Sequence, residues 1–163
     1  MPIDWANIEY LSIAGGGAKG ILHLAGLGIL CAESPERDDT WMKCRLKGVS
    51  GTSFGAFVAL LVLCSGSLKG VCDYFLQMRT EDVFGNCRAG VMMTMDMGLA
   101  HMNGIEEAIK KILVMYGMKP DTTFGELRAK TGKRLVVTVS NLSTLDVMYF
   151  GLDSSTDGES VVS

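Results

Sequence analysis

The apolar positions of this chain follow two rhythms. A short run at 8–14 ends in three consecutive glycines and predicts a β-strand. The next stretch, 19–31, is apolar on almost every side and predicts a buried helix. Residues 32–43 turn polar, with Pro35 followed by Glu36, Arg37, Asp38 and Asp39, and predict a surface loop. A second short strand is expected at 46–50, ending at Gly51. A strongly apolar helix follows at 53–65 and a further helix at 68–78. The clearest periodicity comes at 105–116. Ile105, Ala108, Ile109, Ile112, Leu113 and Tyr116 share one helical face, Asn103 is placed to cap it and Gly117 to end it. Glu106 with Lys110 and Glu107 with Lys111 are i,i+4 pairs on its solvated side. Thr123 followed by Glu126 forms a capping box opening a short helix that stops at Gly132. Strands at 135–139 and 146–150 are joined through Asn141 and Ser143. This alternation predicts an α/β fold.

Composition narrows the picture. The chain has 163 residues, 48% apolar and 20% charged, enough for one domain over 1–163 with its own core and too apolar for disorder. A net charge of −3 without a basic stripe argues against a nucleic-acid partner. Asp4 and Glu9 precede the first apolar run, which no basic region introduces, so no secretory signal is expected. The longest nearly uncharged apolar run, 54–64, falls short of the roughly 20 residues of a membrane span. The expectation is an intracellular, cytoplasmic protein, soluble or peripherally attached to a membrane. Five cysteines without a CxxC pair predict reduced thiols and no metal site. Of eleven methionines, five fall in 88–102. They fit either core filling under a loop or a soft apolar lip that accepts acyl chains.

Twenty glycines are an excess for this length, and their placement carries the chemistry. Gly15, Gly16, Gly17, Lys19 and Gly20 sit at a strand-to-helix turn. Gly15, Gly17 and Gly20 match a dinucleotide fingerprint, but no acidic residue ends the next strand to hold a ribose. A phosphate loop would need Lys-Ser or Lys-Thr after its last glycine, where Ile21 stands. The third reading is an oxyanion hole, in which consecutive glycines turn backbone N–H groups toward one point at a helix N-terminus.

An oxyanion needs a nucleophile, and Gly51-Thr52-Ser53-Phe54-Gly55 supplies the pattern G-x-S-x-G between a short strand and an apolar helix. On such an elbow the serine hydroxyl is lifted clear, the flanking glycines remove colliding side chains, and the Phe54 N–H helps stabilise developing charge. The serine also needs a base. His23 precedes it, within the predicted buried helix. His101 follows it only five residues after Asp96, a spacing unlike an acid and a base arriving from two strand ends.

The ordered blocks LSIAGGGAKG (11–20), GVSGTSFG (48–55), TFGELRAKTGKRLVVTVSNLST (123–144) and VMYF (147–150) resemble the patatin-like phospholipases and acyl hydrolases. The resemblance implies a three-layer α/β sandwich with a mostly parallel sheet flanked by helices. It implies a lipid or other acyl-ester substrate, contact with a membrane surface, and covalent acyl transfer without metal or cofactor. It puts Ser53 at the nucleophile of a serine–aspartate dyad, Gly15 to Gly17 at the oxyanion loop and Lys19 at the basic position beside it. The dyad aspartate belongs to an Asp-Gly-Gly or Asp-Gly-Ala motif expected beyond residue 163, so the domain reads as incomplete at its C-terminus, and these 163 residues by themselves are expected to be inactive or only weakly active. Asp157-Gly158 is followed by Glu159 and reads as a turn. The alternatives are a non-catalytic lipid-binding or regulatory relative lacking that aspartate and, more distantly, a dinucleotide-binding module.

Overall fold

The computed structural model describes residues 3–78, 102–141 and 143–162. Four strands form one sheet in the order β1 (Tyr10–Ile13), β2 (Gly48–Thr52), β3 (Arg134–Asn141), β4 (Asp146–Phe150). The first three run parallel, with Leu11 beside Val49 and Val49 beside Leu135. β4 returns antiparallel, with Phe150 opposite Val137. The β3–β4 turn is held by Asn141, whose Oδ1 accepts from the N–H groups of Ser143 and Thr144. Helices flank this mostly parallel sheet, the α/β arrangement that the alternation predicts.

Among the described residues the helices are α1 (Ile21–Glu33), α2 (Thr40–Cys44), α3 (Phe54–Ser65), α4 (Leu68–Gln77), α5 (Met102–Met115) and α6 (Phe124–Thr131). Local chemistry explains several of their ends. Ser67 caps α4 by accepting from the Gly70 N–H, and Thr123 and Glu126 form the predicted capping box of α6. Gly66, Gly117 and Gly132 take left-handed conformations where α3, α5 and α6 stop. The core gathers around α3, where Phe57 through Leu63 are all buried, together with Val49, Ile112, Leu113 and Leu127. No helix among the described residues is long and apolar enough to cross a membrane.

Three expectations need correction. Residues 32–43 are not loop throughout, because α2 begins at Thr40. Trp41 and Met42 are each only 1% exposed, and Trp41 meets Trp5 edge to face at 5.8 Å. That burial stabilises a short helix which local propensity alone would not. α5 starts at Met102, so Asn103 lies inside the helix rather than at its cap, and Lys110 binds both Glu106 at 2.6 Å and Glu107 at 3.2 Å. Finally, α1 is not buried all round, since Leu22 and Ile29 are exposed. Residues 88–101 of the methionine-rich segment, read as core filling or as an acyl lip, lie outside the described residues, and with them Asp96 and His101.

Candidate active site

The site is built where two strands end. β1 runs into the glycine turn, which continues through a 3-10 turn at Gly17–Gly20 into α1. β2 runs into Ser53, which opens α3. Because β1 and β2 are adjacent and parallel, their C-terminal ends deliver the two turns to one place.

Ser53 carries the clearest backbone signature. It has φ 55° and ψ −131°, a region that L-residues other than glycine rarely occupy. The strain holds because the turn is packed from both sides. A Cβ at Gly51 would be driven into the backbone of Gly55 and Ala56, and one at Gly55 into the carbonyls of Ile13 and Ala14. The Ala56 N–H donates to the Ser53 carbonyl at 2.8 Å, closing the first turn. The serine hydroxyl is not used to cap its own helix, and the residue is exposed. Its side chain therefore stands at the positive end of α3, beside N–H groups that the helix cannot satisfy.

The glycine turn is fitted against this elbow. The position of a Cβ on Gly15 lies 3.3 Å from the Ser53 Cβ and 3.3 Å from the Thr52 carbonyl oxygen. A Cβ on Gly20 would penetrate the ring of Phe54. Gly17 takes φ 51°, a conformation suited to glycine, and Gly15, Gly16 and Gly17 are all exposed. Thus Gly15, Gly20, Gly51, Ser53, Phe54 and Gly55 converge as one unit. The side chain of Lys19 lies outside the described residues.

The two other polar candidates differ in where they lie. His23 packs beneath the glycine turn, its Cε1 3.2 Å from where a Gly16 Cβ would stand, and its Nδ1 is buried without a hydrogen-bond partner. Asp157 is held against α6. Its carbonyl accepts from the Gly125 N–H at 2.9 Å and its carboxylate lies 3.6 Å from Arg128. The turn that the sequence predicts around Asp157-Gly158 is thereby tied to α6.

A cleft of about 390 Å³ opens beside Ser53. Its described walls are almost wholly apolar: Phe57 and Leu60 from α3, Ile105 and Ile109 from α5, Leu135 and Val137 from β3, and Val161 and Val162 from the last segment. That segment is laid in place by backbone bonds, with the Val161 N–H donating to Thr122 at 3.0 Å and the Phe124 N–H to Glu159 at 3.0 Å. Glu106 is the one carboxylate among the described lining residues, and it pairs with Lys110. The sequence reading did not anticipate these walls. Ile105 and Ile109 look like ordinary core positions of an amphipathic helix, and nothing local marks Val161 and Val162. A serine at the mouth of an apolar cleft, with a glycine turn beside it, suits attack on a carbonyl attached to a hydrocarbon chain.

No curated protein matches the sequence significantly. A family description, patatin-like phospholipase, matches residues 11–163 and so takes in the glycine turn, the serine elbow, β1 from Leu11 onward, the other three strands and the cleft. The chain belongs to the patatin-like phospholipase family.

Proposed function

We propose that this chain acts as a lipid acyl hydrolase with Ser53 as its nucleophile and the Gly15 to Gly17 turn as its oxyanion hole. Family membership carries the general activity, hydrolysis of lipid acyl esters. The assignment to these residues rests chiefly on one observation: the strained, exposed Ser53 is interlocked with the glycine turn at the mouth of an apolar cleft.

In this reading the Ser53 Oγ attacks the ester carbonyl carbon. Its proton passes to a carboxylate base, the dyad aspartate that the family resemblance implies. The carbonyl oxygen takes the negative charge and lies against the amides of the glycine turn and the start of α3. Collapse of this intermediate breaks the ester C–O bond, and the leaving alcohol takes up the proton. Water then attacks the acyl-serine, releasing the fatty acid and restoring the hydroxyl. The substrate is a lipid or other acyl ester presented from a membrane surface, and neither metal nor organic cofactor takes part.

The test is covalent labelling of the full chain by a fluorophosphonate. Labelling is expected in the wild-type protein and is lost in Ser53→Ala. Equal labelling of both proteins would remove Ser53 as the nucleophile. Absence of labelling in a folded wild-type protein that still binds lipid would favour the non-catalytic lipid-binding alternative.

A further inference from the structure

We infer that the cleft is a blind channel with Leu60 and Leu135 as its floor, and that this floor limits the acyl chain it houses to medium length. The inference rests on reading the Ser53 cleft as an acyl-chain site. Two walls run in parallel from mouth to floor. Along α3, exposure falls from Ser53 at the mouth through buried Phe57 to Leu60, which is 2% exposed. Along β3 it falls from Val139, 39% exposed, through half-buried Val137 to Leu135 at 3%. Residues 135, 137 and 139 share one face of the strand, so this is a single wall sinking into the core.

The spacing sets the depth. At about 1.5 Å of rise per residue, the seven steps from Ser53 to Leu60 cover roughly 10 Å. At about 3.3 Å per residue, the four steps from Val139 to Leu135 cover roughly 13 Å. With carbon–carbon bonds of about 1.5 Å, an extended chain advances about 1.3 Å per carbon, so about eight carbons reach the floor. A volume of about 390 Å³ lies at the small end for ligand sites and has room for one such chain. Leu60 and Leu135 belong to the core cluster, and close packing beneath them makes the stop a firm one.

The test measures binding of saturated fatty acids, from hexanoate to hexadecanoate, to the full chain carrying Ser53→Ala, so that it does not depend on the nucleophile. Affinity should rise with each added carbon up to about eight and then level off, because further methylenes find no apolar wall. Adding Leu60→Ala should deepen the channel and move the plateau to longer chains. Leu60→Ala removes core volume, so its folding is checked by circular dichroism. Val137→Phe, at a half-buried wall position, fills the channel midway and should move the plateau to shorter chains. Affinity that keeps climbing to hexadecanoate in the parent would overturn the floor, as would one common plateau in all folded variants. The hydrolase reading is judged separately: a plateau that shifts as expected in a protein whose Ser53 resists fluorophosphonate would sustain the floor and overturn the nucleophile.

Discussion

α1 and α3 are close to twins in composition and opposite in fate. Each follows a strand and a glycine-bearing turn, and neither has a polar face. α3 is covered on every side, with Phe57 through Leu63 buried between the sheet, α4 and α5. α1 buries Leu27 and Cys31, one turn apart on a single face, while Leu22 and Ile29 are 65% and 64% exposed. Apolar character makes burial favourable, yet the number of neighbours decides how much occurs. α3 lies against three strands as well as other helices; α1 meets α4 and the glycine turn. The difference bears on function. α3 carries Ser53 at its first turn and one wall of the cleft, so its tight packing holds the elbow in a strained conformation. α1 needs only its start to be rigid, where Gly20 is pressed against Phe54.

Thiol reactivity gives the largest expected contrast. Cys64, near the end of α3, has its pKa pushed up to about 12 by burial, and burial also raises that of Cys31 on the inner face of α1. Cys44 in α2 is exposed. Only thiolate is alkylated, and a thiolate of higher pKa is more nucleophilic, so at pH 8 Cys64 should react with iodoacetamide roughly 30- to 100-fold more slowly than an ordinary exposed thiol. Site-resolved mass spectrometry should find Cys44 modified early and Cys64 late. Cys31 should also be slow, and labelling of Cys31 at the pace of Cys44 would break the claim that α1 has a covered face.

Truncating the helices should separate them next. Leu61→Ala in α3 removes a side chain with no exposure and should cost about 2–5 kcal/mol in denaturant unfolding. A loss below 1 kcal/mol would mean that α3 is less tightly covered than described. The smallest effect belongs to Leu22→Ala in α1, which should change stability by no more than about 0.5 kcal/mol. A loss comparable to that of Leu61→Ala would show that the outer face of α1 is covered in solution.

Much of the site was legible before any fold was known, and for local reasons. Gly51 is needed because a Cβ there meets the backbone of Gly55 and Ala56 within the turn, a local requirement, whereas Gly55 is needed because a Cβ there meets Ile13 and Ala14 at the end of β1. The helix starting at Phe124 is visible because Thr123 and Glu126 satisfy each other across one turn. α2 was not legible. Thr40 to Cys44 follow the polar run Glu36 to Asp39 and are too short to show a helical period, and their helix depends on Trp41 finding Trp5 across a long separation. Nor was the cleft. Leu60, Ile109, Val137 and Val162 are unremarkable apolar residues until α3, α5, β3 and the last segment bring them around one space.

The sequence by itself determined the local geometry at particular places: which residue stands on the elbow after Gly51, and where α6 starts at its capping box and stops at Gly132. These depend on sterics and hydrogen bonds within a few residues. Tertiary structure alone decided that the glycine turn meets the serine, since that follows from β1 and β2 pairing in parallel. It also decided which of two equally apolar helices is covered and how deep the cleft runs. Those outcomes depend on contacts between segments far apart in the chain, and no local pattern encodes the distance between them.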